Sequence, residues 1–246
     1  MEGHYSHHSP KSFPVGDAMN EILQGILEAL ELIITLNPEV MDITSRTLMI
    51  SLSSTLFASL IAVPTGAIIH FKEFKGKRAL INLIQTLYSI PTVLVGLLVF
   101  MLISKSGPLG SLNLLFTPGG MILAQAILIS PLITGFTITA LKGVGSEIVD
   151  LARSLGATEY QTLVTLISEA RYAIVAAIIL GFGRAISEVG IAIMIGGNIR
   201  GYTRVITSAM SLETSKGNLE LSIALGIILL LISLMVNTLL NYFQER

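Results

Sequence analysis

The chain has 246 residues, of which 52% are apolar, and its mean hydropathy is +0.77. Only 13% of the residues are charged, about half the share usual in soluble proteins, which indicates a protein of the lipid bilayer. A formal charge of −1 excludes the dense basic surface that nucleic acid binding requires. Because the chain contains no cysteine, it has no disulfide, no thiolate nucleophile and no Cys-ligated metal.

The N-terminal 40 residues divide into two parts. Residues 1–16 contain histidines and prolines but no apolar run, so they predict a flexible tail, native or added, and not a signal peptide. In 17–36 the glutamates fall along one helical face and apolar residues along another. This predicts an amphipathic helix that lies flat at the membrane interface and occupies 17–40 with its connection. A sixth crossing is the alternative, but it exposes three glutamates to hydrocarbon.

The remaining residues, 41–246, contain the candidate membrane spans. A helix needs about 20 apolar residues to cross the hydrocarbon core. Four stretches have no Asp, Glu, Lys or Arg, namely 47–69, 79–104, 106–141 and 221–244. Glycines and prolines in the third indicate a loop before a helix that starts near Gly120. A fifth stretch, 172–199, is interrupted only by Arg184 and Glu188. The sequence predicts an all-α, polytopic membrane helical bundle with about five transmembrane helices.

The distribution of basic residues gives a weak indication of orientation. Cytoplasmic loops usually carry an excess of Lys and Arg. Basic residues crowd the connection at 72–78 and the polar interval before the fourth crossing, and others occupy the opposite side of the predicted bundle. Charge alone therefore leaves the orientation open.

A polar interval between Lys142 and Arg171 interrupts the membrane spans. Its apolar residues repeat at helical spacing from Ile148 to Leu155. Gly156 suits the left-handed conformation that ends a helix, and Thr158 suits the cap of the next one. The pattern predicts a short helix, a sharp turn and a second helix, with an apolar ridge that fits a groove on another protein.

The residues of this interval resemble a known motif. The run Asp150-Leu-Ala-Arg-Ser-Leu-Gly-Ala-Thr158 is similar to the EAA loop of permease subunits in binding-protein-dependent ABC importers. In that family the loop forms a cytoplasmic coupling helix that docks on the ATP-hydrolysing subunit. The resemblance implies an ATPase-coupling role within about 143–168 for Asp150, Leu151, Ala152, Arg153, Leu155, Gly156 and Ala157. Two departures are an Asp-Leu start and Ser168-Glu169 where the family often has Leu-Pro.

The resemblance extends from about residue 42 to 242 and is strongest to molybdate and tungstate permeases. The run from Arg184 to Gly190 is similar to their Arg-Ala-Ile-Ser-Glu-Phe-Gly stretch, and the short helix ending at Asn37-Pro38-Glu39 favours tungstate. Molybdate, sulfate and phosphate are the alternatives. The resemblance implies a multi-pass protein of the cell membrane that forms a homodimer. It further implies two ABC ATPase subunits and an extracytoplasmic oxyanion-binding protein as partners, with no cofactor.

Several residues are candidates for the translocation pathway or its gate. A proline at 91 predicts a kink that lines a cavity, and uncharged donors suit the passage of an oxyanion. Arg184 and Glu188 stand four residues apart and can pair, although each ion alone at mid-bilayer costs roughly 2.5–3.5 kcal/mol. They are either a gate or a structural ion pair. The candidates are Ser89, Pro91, Thr92, Gln125, Ser130, Arg184 and Glu188.

Arg200 and Arg204 lie in a connection that this topology places outside the membrane. They are expected to meet an acidic patch on a binding protein, to attract the anion, or to be part of a solvated loop.

The sequence lacks the motifs of an ATPase or a hydrolase. It has no Gly-x-x-x-x-Gly-Lys-Ser/Thr phosphate loop, no His-Glu-x-x-His motif and no Gly-x-Ser-x-Gly elbow. The four histidines do not form a credible metal site, so no metal is assigned. The chain is therefore predicted not to be an enzyme, and its energy must come from a partner. A passive channel or membrane scaffold is the alternative of another class.

Overall fold

The structure is a computed structural model that describes residues 15–244. Most of the tail predicted for 1–16 lies outside the described residues. The described part is helical and contains no strand. Its helices are α1 (Val15–Ile34), α2 (Pro38–Phe71), α3 (Lys77–Thr86), α4 (Thr92–Ile103), α5 (Pro118–Gly143), α6 (Ser146–Ser154), α7 (Glu159–Glu169), α8 (Arg171–Ile186), α9 (Gly190–Gly196), α10 (Ile206–Lys216) and α11 (Leu219–Gln244).

Three helices, α2, α5 and α11, are each long and apolar enough to cross a membrane. Two further candidate spans are helix pairs with a sharp bend. The α3–α4 pair bends by 100°, and the α7–α8 pair bends by 67°. Counting each bent pair as one span gives five, so the predicted all-α membrane bundle is confirmed.

Two of the long spans, α2 and α5, start with the same sequence pattern: a residue whose side chain caps the helix, followed by a proline. The side chain of Asn37 accepts hydrogen bonds from the backbone N–H groups of Glu39 and Val40 at the start of α2. The Thr117 hydroxyl accepts one from Gly120 at the start of α5. A proline at the first helical position has no N–H to satisfy, and its fixed φ suits the helix. The prediction of a helix that starts near Gly120 is confirmed, and the helix starts two residues earlier, at Pro118.

The core of the bundle is the contact between α2 and α5. Small residues at 54, 58, 62 and 66 are all buried along one face of α2. A Cβ at Gly66 would lie 2.8 Å from the carbonyl oxygen of Thr134 on α5, so only glycine permits this approach. Small residues allow membrane helices to pack closely, and this stripe is used for packing within the chain.

The apolar stretch 172–199 does not form one helix, contrary to the expectation of a single crossing. The helix α8 ends at Ile186, and α9 starts at Gly190. The Ser187 hydroxyl donates back to the carbonyl of Gly183, and the Glu188 carboxylate accepts from the N–H of Ile191. These side chains satisfy backbone groups that the break leaves open, so the helix of the fourth span ends before Glu188.

The first helix packs against the last one. A Cβ at Gly25 would lie 3.1 Å from the side chain of Ile223 on α11. Several leucines on other faces of α1, among them Leu27, are exposed. The helix ends at Ile34, and α2 begins at Pro38, slightly before the predicted boundary at residue 40. Its position flat at the membrane interface stays a prediction.

The contact between α1 and α11 contains two carboxyl groups, which predicts a dependence on pH. A hydrogen bond to Glu220, and repulsion from its charge, raise the pKa of Glu28 above its ordinary value of 4.5. A raised pKa means that the packed state favours the protonated form. The attachment of α1 is therefore expected to be strongest in acid and to weaken as the pH rises through the raised pKa. Hydrogen exchange of α1 across this pH range measures the effect.

Two matched variants distinguish the effect of the Glu28–Glu220 pair from the effect of removing any negative charge from α1. Glu28→Gln keeps a hydrogen bond without a charge and should remove most of the pH dependence of exchange in α1. Glu31→Gln, one turn away, should retain most of it, because repulsion from Glu31 is the smallest of the effects that raise the pKa of Glu28. An unchanged pH profile in Glu28→Gln contradicts the assignment.

Candidate functional site

The predicted coupling segment folds as a helix, a turn and a helix. The first helix, α6, ends at Ser154, and Gly156 has a φ of +82°. The N–H of Gly156 donates to the carbonyl of Arg153 (2.9 Å), and that of Ala157 donates to Ala152 (3.0 Å). These two bonds form a Schellman motif, which needs a left-handed residue at its centre. The predicted left-handed end at Gly156 is confirmed.

The turn leads directly into the cap of the second helix. The Thr158 hydroxyl accepts a hydrogen bond from the N–H of Gln161, and the Gln161 side chain accepts one from the N–H of Thr158. This reciprocal pair is a capping box. The hydrogen-bonding groups at the end of α6 and at the start of α7 thus have partners within the turn. These local hydrogen bonds set the angle between the two helices.

One face of the segment is attached to the bundle. Val149 packs against the buried cluster that contains Leu141 and Leu166. The guanidinium of Arg153 lies 6.0 Å from the ring centroid of Phe71, the last residue of α2. A cation over an aromatic face contributes about 0.5–1 kcal/mol at an exposed site. The segment is therefore fixed to the ends of α2 and α5.

The opposite face is apolar and exposed. Leu155 is 80% exposed, Leu151 is 61% exposed and the neighbouring Tyr160 is 75% exposed. Apolar groups clustered at an exposed site mark places where another protein binds. Asp150, Arg153 and Gly156 are also exposed, while Ala152 and Ala157 are half-buried. The described chain therefore presents an apolar ridge with polar edges.

The segment continues into the membrane through the bend between α7 and α8. The sequence has Ser168-Glu169 here, where a Leu-Pro pair is frequent in the resembling permeases. The bend lies at Ala170, which is buried, and the Arg171 guanidinium donates to the carbonyl of Ser168 (2.9 Å). An arginine side chain thus stabilises the end of α7 without a proline.

The predicted kink at Pro91 is a complete break of the helix. A short 3-10 turn, Leu87–Ser89, follows α3, and α4 starts at Thr92 at an angle of 100°. Tyr88 fixes this bend, because its ring stacks on Phe136 at 5.8 Å and its hydroxyl occupies the space beside Gly135. Ser89 and Pro91 are exposed and Thr92 is half-buried.

Arg184 and Glu188 form the predicted ion pair. Arg184 Nη1 lies 3.0 Å from Glu188 Oε2, and the glutamate side chain is 2% exposed. Its other oxygen accepts the N–H of Ile191, and its backbone carbonyl accepts the hydroxyl of Thr207. A buried carboxylate without the contacts to Arg184 and Ile191 costs several kcal/mol. These contacts all lie within one chain and favour the structural interpretation of the pair.

The arginine of this pair also reaches an open cavity between α5, α8 and α11. The cavity has a volume of about 580 Å³. Its polar lining groups are Arg184, Ser187, Ser233 and Asn237, and the rest of its wall is apolar. Arg184, 35% exposed, therefore stands between a buried carboxylate and an accessible space.

The other two pathway candidates lie apart from this cavity. Gln125 is buried, accepts a hydrogen bond from Ser54 and donates one to the carbonyl of Ala185, so it links three helices. Ser130 donates to Ala126 within its own helix and lines a separate, mostly apolar cavity of about 400 Å³. Thr92 lies close to the ion pair, because its hydroxyl and the Glu188 carboxylate are 3.4 Å and 3.3 Å from the position of a Cβ at Gly190. One copy therefore brings some of the candidates together, whereas Ser130 lines a separate cavity.

Sequence reasoning missed an ionic network at the far end of α2 from the coupling segment. Arg200 lies 2.6 Å from Glu39, and Arg204 lies 3.7 Å from both Glu39 and Glu213. A hydrogen bond from Lys216 keeps the pKa of Glu213 below its usual value. The two arginines are thus paired within the chain. No local pattern signals this, because Glu39 and Arg200 are 161 positions apart.

The sequence matches a known family over most of its length. Residues 54–246 match the family of binding-protein-dependent transport system inner membrane components. The chain is 38% identical to the tungstate uptake system permease protein TupB of Peptoclostridium acidaminophilum, over 93% of this chain and all of that protein. It is 39% identical to a probable anion ABC transporter permease protein of Haloferax volcanii, over 83% of this chain and 90% of that protein.

Solved structures show the same fold at low sequence identity. A bacterial ABC transporter involved in the import of alginate matches with a TM-score of 0.70 and 18% identity, over 92% of this chain and 89% of that chain. The MetNI methionine ABC transporter in an inward-facing conformation matches with a TM-score of 0.67 and 16% identity, over 86% and 95% of the two chains. The chain therefore belongs to the family of binding-protein-dependent transport system inner membrane components, the permeases of ABC importers.

Proposed function

We propose that the chain is the permease subunit of a tungstate importer and that ATP hydrolysis on a partner subunit drives it. Two tungstate uptake permeases are 38% identical to it over about nine-tenths of its length. Sulfate and molybdenum permeases are related at 24–29% identity. The difference in identity supports tungstate over molybdate or sulfate.

The exposed apolar ridge of α6 is the observation that carries the coupling role. Leu151 and Leu155 project from a helix whose other face is packed on the ends of α2 and α5. A rigid helix with an unoccupied apolar face fits a groove on a second protein. In the proposed complex that protein is an ABC ATPase, and the ridge lies on the cytoplasmic side.

The pathway is proposed to form between two copies of the chain. Arg184 and Ser130 line different cavities of one copy, and a two-fold axis brings equivalent surfaces of two copies together. Ser89, Pro91 and Thr92 at the α3–α4 break, and Arg184 at the cavity wall, are the side chains proposed to face the anion. An extracytoplasmic binding protein delivers the anion to this dimer.

Transport requires the complex to alternate between two arrangements. A ligand shifts a conformational equilibrium only by its different affinity for the two states. ATP binding is proposed to bring the ATPases together and to move the α6 segments, which turns the dimer outward. Hydrolysis and product release return it inward. Because α6 is held by Arg153 and Val149, its displacement moves the ends of α2 and α5.

Replacing a leucine of the ridge by an acid tests the docking step. Leu155→Glu places a charge where an apolar contact is proposed, and loss of a central interface side chain typically costs about 2 kcal/mol or more. We expect ATPase co-purification and ATP-driven uptake to fall by about thirty-fold or more, with membrane insertion unchanged. Leu112→Glu makes the same change at an exposed leucine outside the segment and should have no effect. Equal results for both variants refute the docking surface.

Substituting the buried glutamate distinguishes a structural pair from a gate. Glu188→Gln keeps an oxygen that accepts the N–H of Ile191 but loses the charge that pairs with Arg184. We expect thermal unfolding in detergent to show a loss of about 1–3 kcal/mol, with a larger loss in Glu188→Ala. Glu73→Gln, which alters an exposed ion pair, should cost less than about 1 kcal/mol. Unchanged stability with altered transport favours the gate.

Reconstitution tests the transported anion and the energy source together. The permease is placed in proteoliposomes with its ATPase and its liganded binding protein, and the uptake of tungstate is measured. Uptake is expected to require ATP and to exceed the uptake of molybdate or sulfate. Tungstate entry through the permease alone, without nucleotide, identifies a passive channel instead.

A further inference from the structure

A basic pocket lies at the same end of the bundle as α6. It is formed where α2 ends, α3 begins and α5 ends, and it has a volume of about 490 Å³. Lys77, Arg78 and Lys142 line it together with the carboxylate of Glu73. We refer to it as the basic pocket. Three cations and one carboxylate leave it with an excess of positive charge.

Only one of the three cations is neutralised. Lys77 lies 2.7 Å from the Glu73 carboxylate, and its ammonium also donates to the carbonyl of His70. Among the described ion pairs, none includes Arg78 or Lys142. Both are exposed at the rim of the pocket, so two cations are available to a ligand.

The backbone adds further donors to this surface. The helix α3 starts after Gly76, and no side chain caps its first turn. Open N–H groups at a helix start favour a negatively charged group, because they add to the positive end of the helix dipole. The start of α3 therefore reinforces the charge of Arg78.

The pocket also has an apolar part. Phe74 and Ile81 line it beside the cations, and Phe74 is among the exposed hydrophobic side chains. A free phosphate or tungstate ion uses only the charged part. A phospholipid uses both, because its phosphate meets the cations and the upper part of its acyl chain meets the apolar residues.

The position along the membrane normal suits a lipid headgroup. The two spans that border the pocket end at Phe71 and Gly143, and both carry basic residues near these ends. Basic pockets between membrane helices on the cytoplasmic side bind anionic headgroups, because that leaflet is rich in anionic lipids. We infer that the basic pocket binds the phosphate of an anionic phospholipid. The inference rests on the cytoplasmic orientation proposed above.

Native mass spectrometry of the purified chain tests the pocket without nucleotide or partner, so its result is independent of ATPase coupling. The probes are phosphatidylglycerol and phosphatidylcholine, titrated separately into detergent micelles. Each basic residue that lines the pocket is expected to contribute roughly a five-fold gain in affinity. Arg78→Gln combined with Lys142→Gln should therefore weaken phosphatidylglycerol binding about thirty-fold. Phosphatidylcholine binding should be weaker than that of phosphatidylglycerol and unchanged by the substitutions.

The control removes the same charge from the same end of the bundle. Lys72→Gln combined with Lys75→Gln alters exposed residues that do not line the pocket, and it should leave phosphatidylglycerol binding within about two-fold. Equal losses in both double variants overturn the proposal, because they indicate diffuse attraction to the basic end. Absence of a preference for phosphatidylglycerol in the unaltered chain overturns it as well.

Two further measurements complete the test. One distinguishes a phospholipid from a free phosphate ion, and the other checks that the double variant is folded. Inorganic phosphate at the lipid concentration should not displace phosphatidylglycerol. Displacement identifies a small-anion site and overturns the lipid assignment. If the double variant loses its helical circular dichroism signal, the single variant Arg78→Gln is used, with an expected loss of about five-fold. An unchanged affinity in that variant contradicts the proposal.

Discussion

The architecture depends on one constraint, which is that a helix broken inside a membrane must find partners for its open backbone groups. Hydrocarbon offers no hydrogen bonds, and each unsatisfied backbone group there costs several kcal/mol. The break after α8 is satisfied by the carboxylate of Glu188 and the hydroxyl of Ser187. At the α3–α4 break, the Thr86 hydroxyl donates to the carbonyl of Asn82, and the Pro91 carbonyl accepts from Leu94. These contacts allow short helices within a membrane protein.

This constraint also explains why a permease contains a buried acid. The Glu188 carboxylate accepts the N–H of Ile191 in the first turn of α9 and pairs with Arg184, and its backbone carbonyl accepts a hydrogen bond from Thr207 on α10. A hydrophobic residue of similar size keeps the backbone carbonyl, but it offers no acceptor to the N–H of Ile191 and no charge to Arg184. The same acid leaves Arg184 at the edge of a cavity with its charge partly compensated.

Local sequence signals predicted the parts of the structure that depend on neighbouring residues. The left-handed Gly156, the cap at Thr158 and the start of α5 follow from steric and hydrogen-bonding rules that act over four residues or fewer. The five spans follow from hydropathy over about 20 residues. The break at 187–189 was missed, because the apolar composition continues through it and only burial shows that Glu188 serves as a cap. The pairing of Glu39 with Arg200 was missed because it joins distant positions. The pathway residues stay a prediction.

The length of α2 has a structural consequence. At 34 residues it is about 51 Å long, and it is one continuous helix although Pro64 removes one of its backbone bonds. Phe71, its last residue, is held by Arg153, while Glu39, in its first turn, is held by Arg200 and Arg204. The helix thus contacts arginine side chains at both of its ends. Because the hydrocarbon core is about 30 Å thick, α2 is long enough to place both contacts outside the core, so one helix joins the α6 segment at one end to the Glu39 network at the other.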